Sequence, residues 1–153
     1  YKMHCSESKN PFAEDLMLHY RRKFDVELVR KAAEHFIGTH DFAAFCSNSS
    51  TASTTIRTIY DFCIENVGDT VIMLVKGNGF LYNMIRIMVG TLIWVNEGKF
   101  STDDIPAIMK SKDRTKAGKT AMAHGLYLNR LFYGEESLDE LYRRHSEKEV
   151  CHG

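Results

Sequence analysis

The most apolar stretch of the chain contains one charged side chain, Arg86. Between Lys76 and Glu97 no other residue carries a charge. A guanidinium keeps its charge on burial and is costly to desolvate alone, so it must be held by a carboxylate, a phosphate or several carbonyls. Two interpretations stay open: a structural arginine in a buried ion pair with a local acid, or an arginine that serves a binding or catalytic site.

A second group of cations lies between residues 110 and 119, which we call the basic segment, where only Asp113 opposes them. Gly118-Lys119-Thr120 is similar to the end of a phosphate-binding loop, but the first glycine is missing at its spacing and no helical pattern follows, so nucleotide binding is not expected. The segment is either solvated or in contact with the phosphates of a nucleic acid. The residues that would make such contacts are Lys112, Arg114, Lys116 and Lys119.

Other reactive residue types do not form a recognisable site. His40 lies beside Asp41, but adjacent residues rarely orient one another as a base and its partner, and we expect Asp41 or Thr39 to cap the next turn instead. The four cysteines show no CxxC spacing, which predicts reduced thiols, as in a cytosolic protein, and no metal site. The net charge of zero provides no global field to attract nucleic acid.

Hydrophobic periodicity predicts the elements that would hold these residues. The length of 153 residues and 44% hydrophobic content suit one globular domain, and the apolar runs flanking Arg86 are far below the roughly 20 residues of a membrane span. Strands are predicted at 1–5, 56–65, 70–75 and 126–133.

Three helices are predicted before the tail. The first has Asp25 as its N-cap and Gly38 as its C-terminal cap, the second is nearly all apolar and covers about 80–96, and the third is short and opens with a capping box at Ser101. Together the elements predict an α+β domain, an antiparallel sheet covered by helices.

Five stretches of the sequence occur in a specific order. They are Gly-Thr-His-Asp-Phe at 38–42, Arg-Thr-Ile at 57–59, Gly-Asn-Gly-Phe-Leu-Tyr-Asn-Met-Ile-Arg at 77–86 with Met-Val-Gly-Thr-Leu at 88–92, Lys-Asp-Arg at 112–114 with Ala-Gly at 117–118, and Gly-Leu-Tyr-Leu at 125–128. Together they resemble the tRNA pseudouridine synthases of the TruA type, and the resemblance extends over residues 1–133.

The resemblance implies a cytoplasmic enzyme, usually a homodimer, that isomerises uridine to pseudouridine in the anticodon stem-loop of tRNA without cofactor or metal. Arg86 matches the family's active-site arginine, which pairs with the catalytic aspartate and would thereby keep it ionised. Tyr1 matches the tyrosine that stacks on the target uracil and takes part in proton transfer. Leu126 matches the apolar residue that packs on the base or on the aspartate.

One departure from the family is decisive. Its catalytic aspartate lies in an Arg-Thr-Asp type motif upstream of the tyrosine, and this chain contains no such motif. Asp41, Asp61 and Asp113 lie in other motifs and are not expected to replace it. We therefore expect residues 1–134 to be the C-terminal half of the catalytic domain, followed by an acidic helical tail over 135–153, and to be inactive without the missing N-terminal half. Residues 119–123 also lack the prolines usual in relatives.

Two other classes of function stay open. The chain could be a non-catalytic RNA-binding or dimerisation module that uses the basic segment, with an affinity that falls steeply with salt. It could also be a plain structural domain, for which neither RNA nor mutation of Tyr1 would matter. An upstream Arg-Thr-Asp motif would favour the enzyme over the module.

Overall fold

The computed structural model describes residues 1–12, 15–47 and 52–131, and these form a helix-covered sheet. The sheet has five strands in the order β2-β1-β5-β4-β3. The strands are β1 (Lys2–Cys5), β2 (Leu18–Tyr20), β3 (Gly38–Asp41), β4 (Ile56–Val67) and β5 (Thr70–Gly77). The helices are α1 (Val26–Glu34), α2 (Met84–Asn96) and α3 (Asp104–Ser111). The α+β prediction is confirmed, but the sheet is mixed because β1 and β2 are parallel while the other pairs are antiparallel.

Helix α2 is the centre of the core, as its apolar composition predicts. Its fully or nearly fully buried residues occur on every side: Met84, Ile87, Met88, Val89, Gly90, Thr91, Leu92 and Val95. The helix begins at Met84 rather than near residue 80, because Asn83 has a left-handed backbone (φ 60°, ψ 6°) that a right-handed helix cannot contain.

The hairpin of β4 and β5 confirms the predicted strand pair and corrects its pattern. Even positions from 56 to 64 were expected to be the buried ones, yet the buried residues are Ile59, Phe62 and Ile64. Ile59 pairs with Gly77 and Asp61 pairs with Lys76, so Tyr60 is an extra residue. Such a bulge shifts the alternation by one position.

Three other boundaries differ from the predictions. Helix α1 ends at Glu34, and Gly38 begins β3 instead of capping the helix. Strand β2 lies in a segment expected to be an irregular connection. The strand predicted at 126–133 is wrong for residues 126–131, which follow a 3-10 turn (Ala123–Gly125) and are mostly exposed, so their apolar side chains do not mark a buried face. The predicted helical tail lies outside the described residues.

Several smaller expectations can be compared with the structure. The Ser101 N–H donates to the Asp104 carboxylate at 2.7 Å, as the capping box predicts. Cys5 and Cys46 are free thiols, whereas Cys63 is disulfide-bonded, so the expectation of reduced thiols is wrong for Cys63. Within the described ranges, the helices are all too short or too polar to cross a bilayer.

Candidate functional site

The first turn of α2 presents Arg86, and neutral groups hold its guanidinium. Arg86 Nε donates to the carbonyl oxygen of Ala121 at 2.7 Å, and Nη1 donates to Oδ1 of Asn83 at 2.8 Å. Nε has a single hydrogen and is fully used, while the two Nη atoms together carry four N–H groups. Three of these four have no hydrogen-bond partner among the described residues.

A local acid does not neutralise this charge. Over residues 1–12, 15–47 and 52–131, no carboxylate forms an ion pair with Arg86. The interpretation of Arg86 as one half of a local buried ion pair therefore finds no support in this part of the chain. The guanidinium is partly buried and held through Nε and Nη1, and its remaining N–H groups, including both on Nη2, can donate to a carboxylate or another anion.

The carbonyl that holds Arg86 belongs to residues 117–122, which we call the docking loop. The loop crosses α2 so closely at Gly90 that a Cβ there would lie 1.6 Å from the carbonyl oxygen of Lys119. Only glycine, which has no Cβ, permits this approach. The Ala121 N–H in turn donates to the backbone carbonyl of Arg86 at 3.0 Å.

Side chains fix the docking loop from both directions. The fully buried Thr91 hydroxyl donates to the Ile87 carbonyl at 2.8 Å and accepts from the Gly118 N–H at 2.9 Å. From the other side, the Arg114 guanidinium donates to the Gly118 carbonyl at 2.9 Å and to the Thr120 hydroxyl at 3.0 Å. The carbonyls of the loop therefore have defined positions.

Tyr1 is held by the same loop. Its hydroxyl donates to the carbonyl oxygen of Met122 at 2.6 Å, one residue after the carbonyl that holds Arg86. Its backbone exchanges hydrogen bonds with Met73 at 2.7 and 2.8 Å, and its ring lies against Gly125, where a Cβ would be 2.6 Å from Cζ.

The environment of Tyr1 keeps its phenol neutral. Tyr1 is 7% exposed, and burial raises the pKa of its phenol to about 12, although the nearby Arg86 charge acts in the opposite direction. The hydroxyl is therefore a protonated donor at neutral pH. Two carbonyls of adjacent residues thus bring the side chains of Tyr1 and Arg86 together.

Leu126 belongs to the same segment of chain but is less enclosed. It follows the turn that places Gly125 against the Tyr1 ring, and its N–H donates to the Ala123 carbonyl at 3.0 Å. It is 41% exposed. With Phe80, Tyr82 and Met122 it is one of the exposed large apolar residues near the ends of α2 and the docking loop in sequence.

The four cations assigned to RNA contact fall into two groups. Lys112 Nζ lies 2.7 Å from the Asp41 carboxylate, and its hydrogen bond is the largest cause of the lowered pKa of Asp41. Arg114 is engaged in the docking loop, and burial lowers its pKa. Lys116 and Lys119 have no ion pair among the residues described.

The structure also decides the role of Asp41. Its Oδ1 accepts from the Ala43 N–H at 3.1 Å and from the Thr55 hydroxyl at 2.6 Å, which confirms the expected cap. His40 Nε2 contacts the Ile37 carbonyl at 2.8 Å instead of its neighbour, so the two residues do not form a dyad.

Sequence reasoning did not identify Asn83 or the two carbonyl oxygens as parts of the site. Asn83 had a detectable signal, since a residue three positions before Arg86 on a helix lies next to it. The carbonyls of Ala121 and Met122 have none, because any residue type supplies a backbone oxygen.

Comparisons with known proteins cover most of the chain. A family model described as tRNA pseudouridine synthase matches residues 32–134. The tRNA pseudouridine synthase A of Bacillus pumilus is 44% identical over 133 residues, which are 87% of this chain and 54% of the relative. That of a Thermoanaerobacter species is 47% identical over 123 residues, 80% of this chain and 50% of the relative. The chain spans about half the length of the curated relatives it matches.

Proposed function

The chain belongs to the tRNA pseudouridine synthase family, and from that we propose that it is the arginine-bearing half of an enzyme that isomerises uridine to pseudouridine in tRNA. One observation carries the proposal. Arg86 is held by neutral groups at Nε and Nη1, keeps three N–H groups available, and has no acid partner in the described residues. A guanidinium arranged in this way is complementary to a carboxylate supplied from another part of the enzyme.

The reaction needs that carboxylate. It attacks C1′ of the ribose while the glycosidic bond to N1 of uracil breaks. The uracil then rotates and its C5 bonds to C1′ as the bond between C1′ and the carboxylate breaks. The proton on C5 is released and N1 takes up a proton, so the product is an isomer of the substrate and the carboxylate is regenerated. Arg86 would hold the attacking aspartate ionised and oriented, because an adjacent cation favours the charged form of an acid. The aspartate lies, in this proposal, in an Arg-Thr-Asp motif of a segment that precedes Tyr1.

Tyr1 and Leu126 would form the wall of the base pocket. The target uridine must leave the helical stack at a cost of a few kcal/mol, and stacking on an aromatic ring offsets part of that cost. The Tyr1 phenol stays protonated because its pKa is about 12, so its ring offers a neutral face and its hydroxyl a proton donor. Leu126 follows Gly125, which contacts the Tyr1 ring, and would exclude water from the base.

The substrate and assembly are further parts of the proposal. We assign the anticodon stem-loop of tRNA as substrate, a cytoplasmic homodimer as the assembly, and no cofactor. Lys116 and Lys119 are the better candidates for phosphate contact, because Lys112 and Arg114 are engaged within the chain.

The test is tritium release from tRNA labelled at C5 of uracil. We would compare the chain alone with a fused synthase, in which the part of the Bacillus pumilus relative that this chain does not match is joined ahead of Tyr1. Activity of the fused synthase alone is expected. Activity of the isolated chain would place the nucleophile within it and overturn the assignment. Inactivity of both, with tRNA binding retained, would favour the RNA-binding module.

A further inference from the structure

We propose that Asn83 is a positioning residue, which sets the orientation of the Arg86 guanidinium before a carboxylate reaches it. The proposal rests on the proposed function, because it concerns how the same site is prepared. Asn83 would act through Arg86 and would not touch the nucleotide.

The hydrogen-bond chemistry fixes the orientation of the Asn83 amide. A guanidinium has only donors, so the atom that faces Arg86 at 2.8 Å must be the amide oxygen. The amide nitrogen then faces the hydroxyl of Ser47, to which it donates at 3.1 Å. Ser47 is itself tied to the start of α2, since its N–H donates to the carbonyl of Tyr82 at 3.2 Å.

The position of Asn83 makes this use of its side chain unusual. Asn83 precedes the first residue of α2, where an asparagine side chain usually accepts an N–H from the first turn and stabilises the helix by about 1 kcal/mol. Here the side chain makes no capping hydrogen bond. The helix forgoes that stabilisation, and the amide oxygen binds the guanidinium instead. The backbone still begins the helix, because the Asn83 carbonyl accepts from the Ile87 N–H at 2.9 Å.

Two hydrogen bonds on different nitrogens determine the position of a planar group. The Ala121 carbonyl holds Nε and the Asn83 amide holds Nη1, so the guanidinium can rotate neither about its long axis nor within its plane. Its three remaining N–H groups then point in fixed directions. Without Asn83 the group would keep only the Nε contact, and the edge offered to a carboxylate would rotate.

A first experiment observes Arg86 directly in the 153-residue chain. We would record nitrogen-15 NMR spectra of the arginine Nε and Nη atoms for wild type and for Asn83→Gly, which keeps the left-handed backbone and removes the amide. Two resolved Nη signals for Arg86 are expected in wild type and a single averaged signal in the variant, with the Nε signal retained. Unchanged Nη signals in Asn83→Gly would overturn the proposal.

Asn96→Ala is the matched control. Asn96 ends the same helix, and its amide bonds the Asp25 N–H, the Tyr20 hydroxyl and the Lys23 carbonyl, far from Arg86. The control should lower the melting temperature and leave the Nη signals resolved. If Asn83→Gly does not fold, Ser47→Ala replaces it, because that change frees the Asn83 amide without altering the backbone of α2. It should broaden the Nη signals; unaltered signals in that variant would contradict the proposal.

A second experiment measures turnover in the fused synthase. Asn83→Gly should lower kcat about 10- to 100-fold with KM for tRNA within about twofold, since misplaced catalytic groups reduce the rate more than binding. Asn83→Asp should lower kcat further, because its carboxylate would pair with Arg86 and compete with the catalytic aspartate. A raised KM with unchanged kcat would refute the positioning role. An inactive wild-type fused synthase would refute the proposed function instead, while the NMR comparison would still decide the role of Asn83.

Discussion

The two ends of α2 each carry an asparagine, and the two are used in opposite ways. At the C-terminal end, Asn96 joins the helix to three groups between residues 20 and 25, and both of its amide N–H groups and its amide oxygen are hydrogen-bonded within the chain. At the N-terminal end, Asn83 gives up its capping role and holds an arginine whose remaining donors have no partner in the described structure. We call these the packed end and the site end.

The difference indicates that the polar groups at the packed end of α2 stabilise the fold, whereas those at the site end serve function. Polar groups at the packed end are satisfied within the chain, so their removal should cost stability. At the site end, the Arg86 guanidinium has hydrogen-bond partners for only some of its N–H groups. Such an arrangement lowers stability and is typical of a group that binds a ligand or takes part in a reaction. If that distinction is real, mutations at the two ends should change different measured quantities.

The largest expected effect is on turnover at the site end. In the fused synthase, Arg86→Ala should reduce kcat about a thousandfold or more, since it removes the charge that stabilises the attacking carboxylate. Arg86→Lys should recover little of this activity, because an ammonium cannot reproduce the planar fork of donors. The measurement is tritium release at saturating tRNA.

Asn96→Ala provides the contrast at the packed end. It should lower the free energy of unfolding by about 2 kcal/mol, since it leaves several polar groups without partners, and it should leave kcat unchanged. A loss of kcat in Asn96→Ala equal to that in Arg86→Ala would show that the two ends do not differ in function.

A change at the middle of the helix should affect both the stability of the fold and the position of Arg86. Gly90→Ala places a Cβ where the carbonyl oxygen of Lys119 now lies, so the docking loop must move away from α2. We expect a loss of about 3 kcal/mol in urea unfolding, the upper part of the usual range for overpacking. The Nε signal of Arg86 should shift as well, because the Ala121 carbonyl moves with the loop. A stable variant with an unchanged Nε signal would contradict the docking described here.

The sequence predicted the regular, buried elements of the fold better than its short or exposed segments. The hairpin and α2 could be predicted because burial of a regular element leaves a periodic pattern. Strand β2 was missed because three residues are too short to show one. The apolar side chains among residues 126–131 suggested a strand, yet these residues are exposed and do not form one, so the apolar pattern alone was misleading.

Within the candidate site, Arg86 was recognisable as a lone charge among apolar residues. Asn83 could have been found as a neighbour three positions before Arg86. The carbonyls of Ala121 and Met122, which hold Arg86 and Tyr1, could not, because they depend on tertiary contacts and not on residue type.

The pH dependence of stability should report the enclosure of Tyr1. Its pKa is about 12 in the folded chain against an ordinary value of 10, so folding favours the protonated phenol. This contribution is complete below pH 10 and is lost as the pH rises through about 12. Urea unfolding between pH 9 and 12 should therefore show a steeper loss for wild type than for Tyr1→Phe. If the free energy of unfolding depended on pH in the same way for both proteins, the phenol of Tyr1 would not be enclosed in the folded chain.

The smallest effects are expected for the basic segment. Lys116→Ala and Lys119→Ala should each reduce the slope of log affinity for tRNA against log salt by about 1 and leave stability nearly unchanged. Lys112→Ala should instead lower stability, since it removes the ion pair with Asp41. Equal salt slopes for all three variants and wild type would remove this segment from the RNA interface.

The most direct test of the central claim, that Arg86 pairs with a carboxylate from outside this chain, is a double-mutant cycle on the fused synthase. Its corners are wild type, Arg86→Ala, replacement of the aspartate in the upstream Arg-Thr-Asp motif by asparagine, and the double variant, each measured by urea unfolding. We predict that the two changes are non-additive by about 2 kcal/mol, as expected for a charged, hydrogen-bonded pair. Additivity within about 0.5 kcal/mol would show that the two side chains do not interact, and would contradict the account.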